Sequence, residues 1–160
     1  MANFMRKGIT KIWWVPSIAS GSLIPTTAEV NAGTHLTAAG KIASLKGFSF
    51  ANNPIDIPDM SQAFVPKISG ADQSDDSSIE FYEDKVSNPI YSALVKGTAG
   101  YIVIFPKGIA GATPNTGDIC DVWPQEIGSR ARQYSADNAA AMYLIAFTPT
   151  AAPGFDKTVT

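Results

Sequence analysis

The sequence predicts a mainly β fold, either an antiparallel β-sandwich or a partly open barrel, with one flanking α-helix. Roughly six or seven segments have strand-like apolar patterns, and thirteen glycines and eleven prolines punctuate them. A chain of 160 residues, 45% of them hydrophobic, has the size of one ordinary domain. We therefore expect a single domain over residues 1–160, with an N-terminal arm at 1–8 and a loose C-terminal tail at 150–160.

The first strand pattern covers residues 9–15 and contains two adjacent tryptophans. Because side chains alternate along a strand, Trp13 and Trp14 point to opposite faces. Either a second core layer or an interface must take the ring that the main core does not. Further along, residues 26–29 match a capping box, which predicts a brief helix that ends near Gly33.

Residues 42–50 and 60–68 are predicted to form a strand pair. The residues between them include Pro54 and Pro58, which prevent ordinary ladder pairing and predict a long hairpin with an irregular connection. Residues 70–77 are small, polar and acidic. We expect this segment to be a mobile loop that becomes ordered on contact with a partner.

Residues 75–106 predict a strand, a short helix and a second strand in succession. Ile79 and Phe81 alternate with polar neighbours, which is typical of a half-buried strand. Residues 101–105 are apolar at every position, so the second strand is expected to be covered on both faces.

The helix of this block has a clear start. Asn88 followed by Pro89 is typical of an N-cap with proline at the first helical position. Ile90 and Leu94 lie on one apolar stripe and are the candidate core residues of the helix. Gly97 is expected to stop it.

The last two strand patterns cover residues 119–132 and 142–147. Pro124 interrupts the first of them, which indicates either an edge position or a bulge, because proline cannot donate to a sheet ladder.

Residue types that carry chemistry in enzymes are sparse. His35 is the only histidine and has no metal ligands at suitable spacing. Cys120 is the only cysteine, so it cannot form an internal disulfide, and we expect it to be buried. The acidic pairs 75–76 and 83–84 lack the surroundings of a calcium loop or a glycosidase site. We expect no catalytic residues, no cofactor and no metal, hence not an enzyme, and no apolar run is long enough to predict a membrane span.

The charges are segregated although the net charge is only −2. Residues 1–50 carry five lysines or arginines and one acidic residue, whereas residues 67–85 carry six acidic residues and two lysines. These segments are either two solvated surfaces or complementary faces that steer head-to-tail contact between copies.

Four phrases carry a resemblance to a known family. They are MANFMRKGITKIWWVPSIA at 1–19, GFSFANNPIDIPDM at 47–60, DSSIEFYEDKVSNPIYSALVKGTAGYIVIFP at 76–106 and DVWPQEIGSRARQYSADNAAAMYLIAF at 121–147. Together they resemble the major tail protein, or tail tube protein, of long-tailed actinobacterial phages, from residue 1 to about residue 149.

The resemblance implies a structural virion protein. Members of this family form hexameric rings that stack into the tail tube around a tape-measure protein, and the tube conducts DNA to the host. The implied partners are further copies of the chain, a tape-measure protein, and tail terminator or baseplate proteins. Duplex DNA would pass through the lumen without tight binding, and no membrane is involved. The implied location is the virion tail, after assembly in the bacterial host cytoplasm.

Under this resemblance, two groups of residues are candidates for contacts in the tube. The candidates for ring-to-ring stacking are charged: Arg6, Lys7, Lys11, Asp72, Asp75 and Asp76. The candidates for wall strands lie in the 42–50/60–68 and 119–132/142–147 pairs: Phe48, Phe50, Phe64, Ile119, Trp123, Tyr143 and Phe147.

Two alternatives stay open. Another virion part, such as a capsid decoration protein or the inner tube of a contractile apparatus, would share these β-rich assembly features. A carbohydrate-binding host-attachment module could instead use Trp13, Trp14 and Trp123 as stacking platforms.

Overall fold

The computed structural model describes residues 3–160. Three short helices are present in this range: α1 (Thr27–Ala32), α2 (Leu36–Ala39) and α3 (Pro89–Ala93). The strands are β1 (Lys11–Val15), β2 (Thr34–His35), β3 (Ile42–Lys46), β4 (Phe50–Asn52), β5 (Ile55–Asp56), β6 (Lys67–Ile68), β7 (Asp72–Ser74), β8 (Ser77–Tyr82), β9 (Ala99–Phe105), β10 (Ile119–Gln133), β11 (Met142–Pro149) and β12 (Gly154–Thr158).

Eight of these strands form one antiparallel sheet. Its order is β2-β1-β9-β10-β11-β8-β3, and β12 pairs with the first part of β10. Within residues 3–160 the ladder does not close, because β2 and β3 have no strand beyond them. The prediction of a mainly β, antiparallel fold with few helices is confirmed.

The sheet has a hydrophobic core on each face. Trp14 lies in the main core, which α2 and α3 cover, whereas Trp13 lies in the second core on the opposite face. The second core also holds Val103 and Phe105 of β9, while Ile102 of the same strand lies in the main core. The prediction that β9 is covered on both faces is therefore confirmed, and a second core layer takes the other tryptophan ring.

Both predicted helix starts are present. In α1, Thr26 Oγ1 accepts from the backbone N–H of Glu29 at 3.2 Å, and Glu29 Oε2 accepts from the N–H of Thr26 at 2.8 Å, which completes the capping box. In α3, Asn88 is the N-cap by position and Pro89 is the first helical residue, but the Asn88 side chain makes no capping hydrogen bond and pairs with the backbone of Asp84 at 2.8 Å. Ile90 and Leu94 are fully buried in the main core, with Leu94 at the C-cap of the helix.

Pro124 occupies neither an edge strand nor the position of a bulge. It lies inside β10, opposite Tyr101 of β9. Its carbonyl accepts from the N–H of Thr150 at 3.1 Å, so its nitrogen faces the same side, where the chain crosses from β11 to β12. On this side, the ladder with β12 ends at Val122 and the ladder with β11 begins at Gln125. The missing N–H of Pro124 therefore costs no sheet hydrogen bond, which explains how a central strand tolerates proline.

Two further predictions are wrong. Residues 42–50 do not pair with 60–68, since β3 pairs with β8, with Leu45 opposite Ile79. Only Lys67–Ile68 of the second segment is a strand. The C-terminal tail is not loose over Gly154–Thr158, which pairs with β10, and the following Val159 is fully buried in the second core. Both errors concern pairings between residues distant in sequence.

Three side chains within residues 3–160 have buried polar atoms without a hydrogen-bond partner, and Gln125 is the one in which both polar atoms are affected, the others being His35 and Ser77. Gln125 is fully buried between Trp123 and Ile127 of the main core, and neither atom of its amide has a hydrogen-bond partner among the described residues. We expect Gln125→Met to raise the free energy of unfolding by about 1–2 kcal/mol, because it removes an unsatisfied polar group at nearly constant volume. Urea unfolding measures this, with the exposed Gln73→Met as the matched control. A lower stability for Gln125→Met would show that the amide is satisfied in solution.

Candidate assembly surfaces

The β3–β8 pair continues beyond the main sheet as an arm, residues 47–76. Two ladders extend it in nested order: β4 pairs with β7, and β5 pairs with β6. Backbone hydrogen bonds outside these ladders continue the pairing, from the N–H of Asn53 to the carbonyl of Ala71 and from that of Ile57 to Pro66, both at 2.9 Å. We call residues 57–65 the arm tip.

The arm carries large apolar side chains that nothing in the described chain covers. Met60 is fully exposed and Phe64 is 75% exposed. Neither core includes the exposed apolar residues of the arm, which are Phe50, Ile55, Ile57, Met60, Phe64, Val65 and Ile68. A two-stranded ladder is marginally stable alone, and an apolar patch of this kind marks a surface that binds another protein.

The arm base, which comprises residues 47–52 and 72–76, has a sharp backbone turn. Gly47 has φ +78° and Phe48 has φ +52°. A Cβ on Gly47 would lie 2.4 Å from the carbonyl oxygen of Asp76, so glycine is required there. The left-handed conformation of Phe48 turns its ring back onto Trp123, with an edge-to-face centroid distance of 5.6 Å. The aromatic contact fixes the arm to the body of the domain.

The predicted mobile loop at 70–77 is part of this arm. Asp72, Gln73 and Ser74 form β7, so the prediction of an unstructured loop is wrong there. Asp72 accepts from Asn52 Nδ2 at 2.8 Å, and the carboxylate of Asp75 accepts from the hydroxyl of Ser49. Together with the exposed Asp76, they place three carboxylates along one strand of the arm and its base.

The basic candidates lie in the N-terminal segment and at the start of β1. Arg6 and Lys7 are exposed, whereas Lys11 is half-buried at the start of β1. None of these three side chains forms an ion pair with Asp72, Asp75 or Asp76 in the described part of the chain. The structure therefore leaves both charged groups free for contacts with other molecules.

Arg6 and Lys7 line the rim of a cleft with a volume of about 520 Å³. Its apolar lining comes from β1, β3, β9, β10 and the arm base: Ile12, Ile42, Leu45, Phe48, Ile104 and Trp123. The cleft opens between β3, an outer strand of the sheet, and the N-terminal segment before β1. Sequence reasoning missed it, because its walls come from segments far apart in the chain.

A family model for phage tail tube proteins matches residues 1–160. The chain belongs to this family. No curated protein matches the chain. The chain is similar in fold to a solved tail of an empty gene transfer agent particle, refined with C6 symmetry, at 14% identity and a TM-score of 0.53, covering 96% of this chain and 98% of that one. A virion of a native gene transfer agent particle is similar at 16% identity and a TM-score of 0.47, covering 78% of this chain and 89% of that one.

Family membership assigns this tail tube protein a structural role in the phage tail, as the resemblance implied. This family membership favours a tail tube protein over the alternative of a capsid decoration protein. The carbohydrate-binding alternative also fails on geometry. Trp13, Trp14 and Trp123 are all buried, so none of the three rings is available as a platform for a sugar. The actinobacterial origin stays a prediction.

The wall-strand candidates of the tail tube protein separate into two groups. Trp123, Tyr143 and Phe147 are buried in the main core, so their side chains face the interior of the domain. Phe50 and Ile119 lie in β4 and β10 and are exposed. Phe48 and Phe64 lie outside any strand, at the arm base and in the arm tip, so their assignment to wall strands is wrong. Residues 119–132 and 142–147 do pair, as β10 with β11.

The chemically distinctive side chains of the tail tube protein are enclosed. The ring of His35 stacks on Trp13 with a centroid distance of 3.7 Å, and partial burial lowers the pKa of His35. Burial raises the pKa of the Cys120 thiol to about 12, so the thiolate is not formed near neutral pH. No group of three His, Cys, Asp or Glu in residues 3–160 could hold a metal ion. No helix among the described residues is long and apolar enough to cross a membrane.

Proposed function

We propose that this tail tube protein assembles into six-membered rings that stack into a tube through which DNA passes to the host. The exposed apolar arm is the observation that carries the proposal, because a free subunit gains by covering it. Similarity in fold to a tail refined with C6 symmetry supports a six-membered ring.

Ring closure needs two different surfaces on each copy that fit one another. A heterologous contact of this kind closes into a ring when its rotation allows. The sheet offers two outer strands, β2 and β3, whose free edges can accept a strand from a neighbour. The arm is a third surface, and its exposed apolar side chains belong to neither core, so they are available to another subunit. We propose that the tube also contacts a tape-measure protein and tail terminator or baseplate proteins.

Electron microscopy of the purified protein tests this function. We expect six-fold rings or hollow tubes, with mass photometry showing multiples of a hexamer as the concentration rises. A protein that stays monomeric at every concentration and salt condition would contradict the proposal. Rings of another number would contradict the six-fold symmetry alone.

The charge segregation of the sequence yields a prediction about tube growth. We expect the reversal of Asp72, Asp75 and Asp76 to lysine to slow tube growth at least tenfold, since it turns the long-range attraction that steers these residues towards basic segments of other copies into repulsion. Light scattering at low salt measures the rate. The matched variant changes the same residues to asparagine, which keeps the hydrogen-bond acceptors of the arm and should give an intermediate rate. Normal growth of the lysine variant would show that these carboxylates are only solvated.

A conduit must also release its cargo. Each phosphate that a lysine or arginine neutralises adds to binding through counterion release, so a working lumen must be neutral or acidic. We expect assembled tubes to show no submicromolar binding of duplex DNA in a filter assay at physiological salt. Tight, salt-sensitive binding would argue against a conduit.

A further inference from the structure

The cleft rimmed by Arg6 and Lys7 has the size and the apolar lining of a binding site for side chains of a partner protein. Its volume of about 520 Å³ lies within the range of roughly 300–1,000 Å³ that is typical of binding pockets. The floor is formed by the buried side chains of Ile12, Ile104 and Trp123. Leu45 lines the same cleft and is 42% exposed, so apolar surface remains open to a partner.

The arm tip presents exposed apolar side chains and one carboxylate, which are suited to an apolar cleft with basic residues at its rim. Met60 and Phe64 are the two most exposed apolar residues of the arm. Met60 lies within a turn that begins at Asp59, and Phe64 follows this turn. Asp59 Oδ1 accepts from the N–H and the hydroxyl of Ser61, at 2.9 and 2.8 Å. These hydrogen bonds lower the pKa of Asp59. Asp59 is the only charged residue of the tip.

We propose that the arm tip of one copy inserts Met60 and Phe64 into the cleft of a neighbouring copy, where Asp59 lies beside Arg6 and Lys7. This inference rests on the proposed self-assembly and names the contact that holds the copies together. Charge complementarity favours this occupant: the cleft lining carries Arg6 and Lys7 against one carboxylate, Asp121, and the tip is apolar with one carboxylate. Asp121 Oδ1 already accepts from the backbone N–H of Asp156 at 3.0 Å. The nearby Asp56 is already paired with Lys67 at 3.0 Å, so Asp59 is the carboxylate available to the rim.

The length of the arm permits this contact. From Lys46 to Ile57 the chain spans eleven residues, which corresponds to roughly 35 Å when fully extended. A domain of this size has a radius of gyration of about 15 Å, so the tip can extend past the body of its own subunit. Within its own chain the tip remains exposed and the cleft remains open, so the two surfaces are both available to other copies.

Disulfide crosslinking between two variants tests the contact. One protein carries Phe64→Cys with an affinity tag that changes its mass, and the other carries Leu45→Cys. The two are mixed, assembled and oxidised. We expect a crosslinked species that contains one chain of each kind, because Phe64 of one copy reaches Leu45 of another. The native Cys120 is fully buried and does not compete.

The control replaces Leu45→Cys with Tyr134→Cys, an exposed position at the end of β10. We expect no mixed crosslink from this pair. Tubes that form without a Phe64–Leu45 crosslink would overturn the inference and leave the proposed function intact. Crosslinked oligomers without rings would support the docking and contradict the rings. Efficient crosslinking of Phe64 to Tyr134 in place of Leu45 would also overturn the proposed site.

A charge exchange supplies a second readout. We expect Asp59→Arg to reduce assembly at least tenfold, since it places like charges together at the rim. Combining Asp59→Arg with Arg6→Asp and Lys7→Asp should restore assembly, because the tip then carries the positive charge and the rim the negative charges, and the attraction between them is kept. Failure of this rescue, with all variants folded by circular dichroism, would show that the tip does not meet these two residues.

Discussion

Removal of the arm between residues 53 and 71 is expected to yield a folded subunit that does not assemble. The variant replaces residues 53–71 with Asn-Gly, which joins Asn52 to Asp72 through a two-residue hairpin turn. These residues face each other in the β4–β7 ladder, so the rest of the arm base can keep its pairing. The exposed apolar side chains from Ile55 to Ile68 are lost together, and we expect tube formation to fall below detection in electron microscopy.

The same variant should remain as stable as the natural chain. None of the deleted residues belongs to either core, so we expect the free energy of unfolding to change by no more than about 0.5–1 kcal/mol. A control shortens the exposed connection at residues 135–140 to Gly-Ser and should still assemble. Tubes formed by the arm-deleted protein would show that the arm is dispensable, which would also exclude its tip as a docking group.

Truncation of Phe81 in β8 is expected to be the most destabilising single change proposed. Its ring is fully buried and stacks on Tyr143, with a centroid distance of 5.3 Å. It also lies against Gly40, where an added Cβ would approach the ring within 2.9 Å. Because the surroundings are this tightly packed, we expect Phe81→Ala to lower the free energy of unfolding by about 3–5 kcal/mol.

The adjacent Tyr82 is the matched control. It is 44% exposed on the other side of the same strand, so Tyr82→Ala should cost about 1 kcal/mol or less. Urea unfolding followed by circular dichroism compares the two variants. Equal losses from both would indicate that strand propensity, and not burial in the main core, controls the stability of β8.

The sequence predicted the elements whose signal is local. The capping box at Thr26 and Glu29, the N-cap at Asn88 and the opposite orientation of Trp13 and Trp14 each follow from the spacing of a few neighbouring residues. Such features depend on residues that are neighbours in the sequence, so they can be predicted without knowledge of the tertiary contacts. The family was also recognisable from the sequence, through phrases distributed along the chain.

The arm and the cleft could not be predicted in the same way. The partner of β3 is β8, about 35 residues away, and the intervening prolines and weak apolar pattern do not specify this register. The most exposed apolar side chains of the tip, Met60 and Phe64, belong to neither core, so the amphipathic pattern of a buried strand or helix does not mark them. The cleft depends on the curvature of the whole sheet, which no single segment encodes.

The adjacent tryptophans of β1 have a consequence for how the protein unfolds. Trp13 belongs to one core and Trp14 to the other, so a single five-residue strand is part of both. Neither core can open without releasing the strand that the other requires. The two layers therefore behave as one cooperative unit, and the subunit that enters an assembly is either entirely folded or not available.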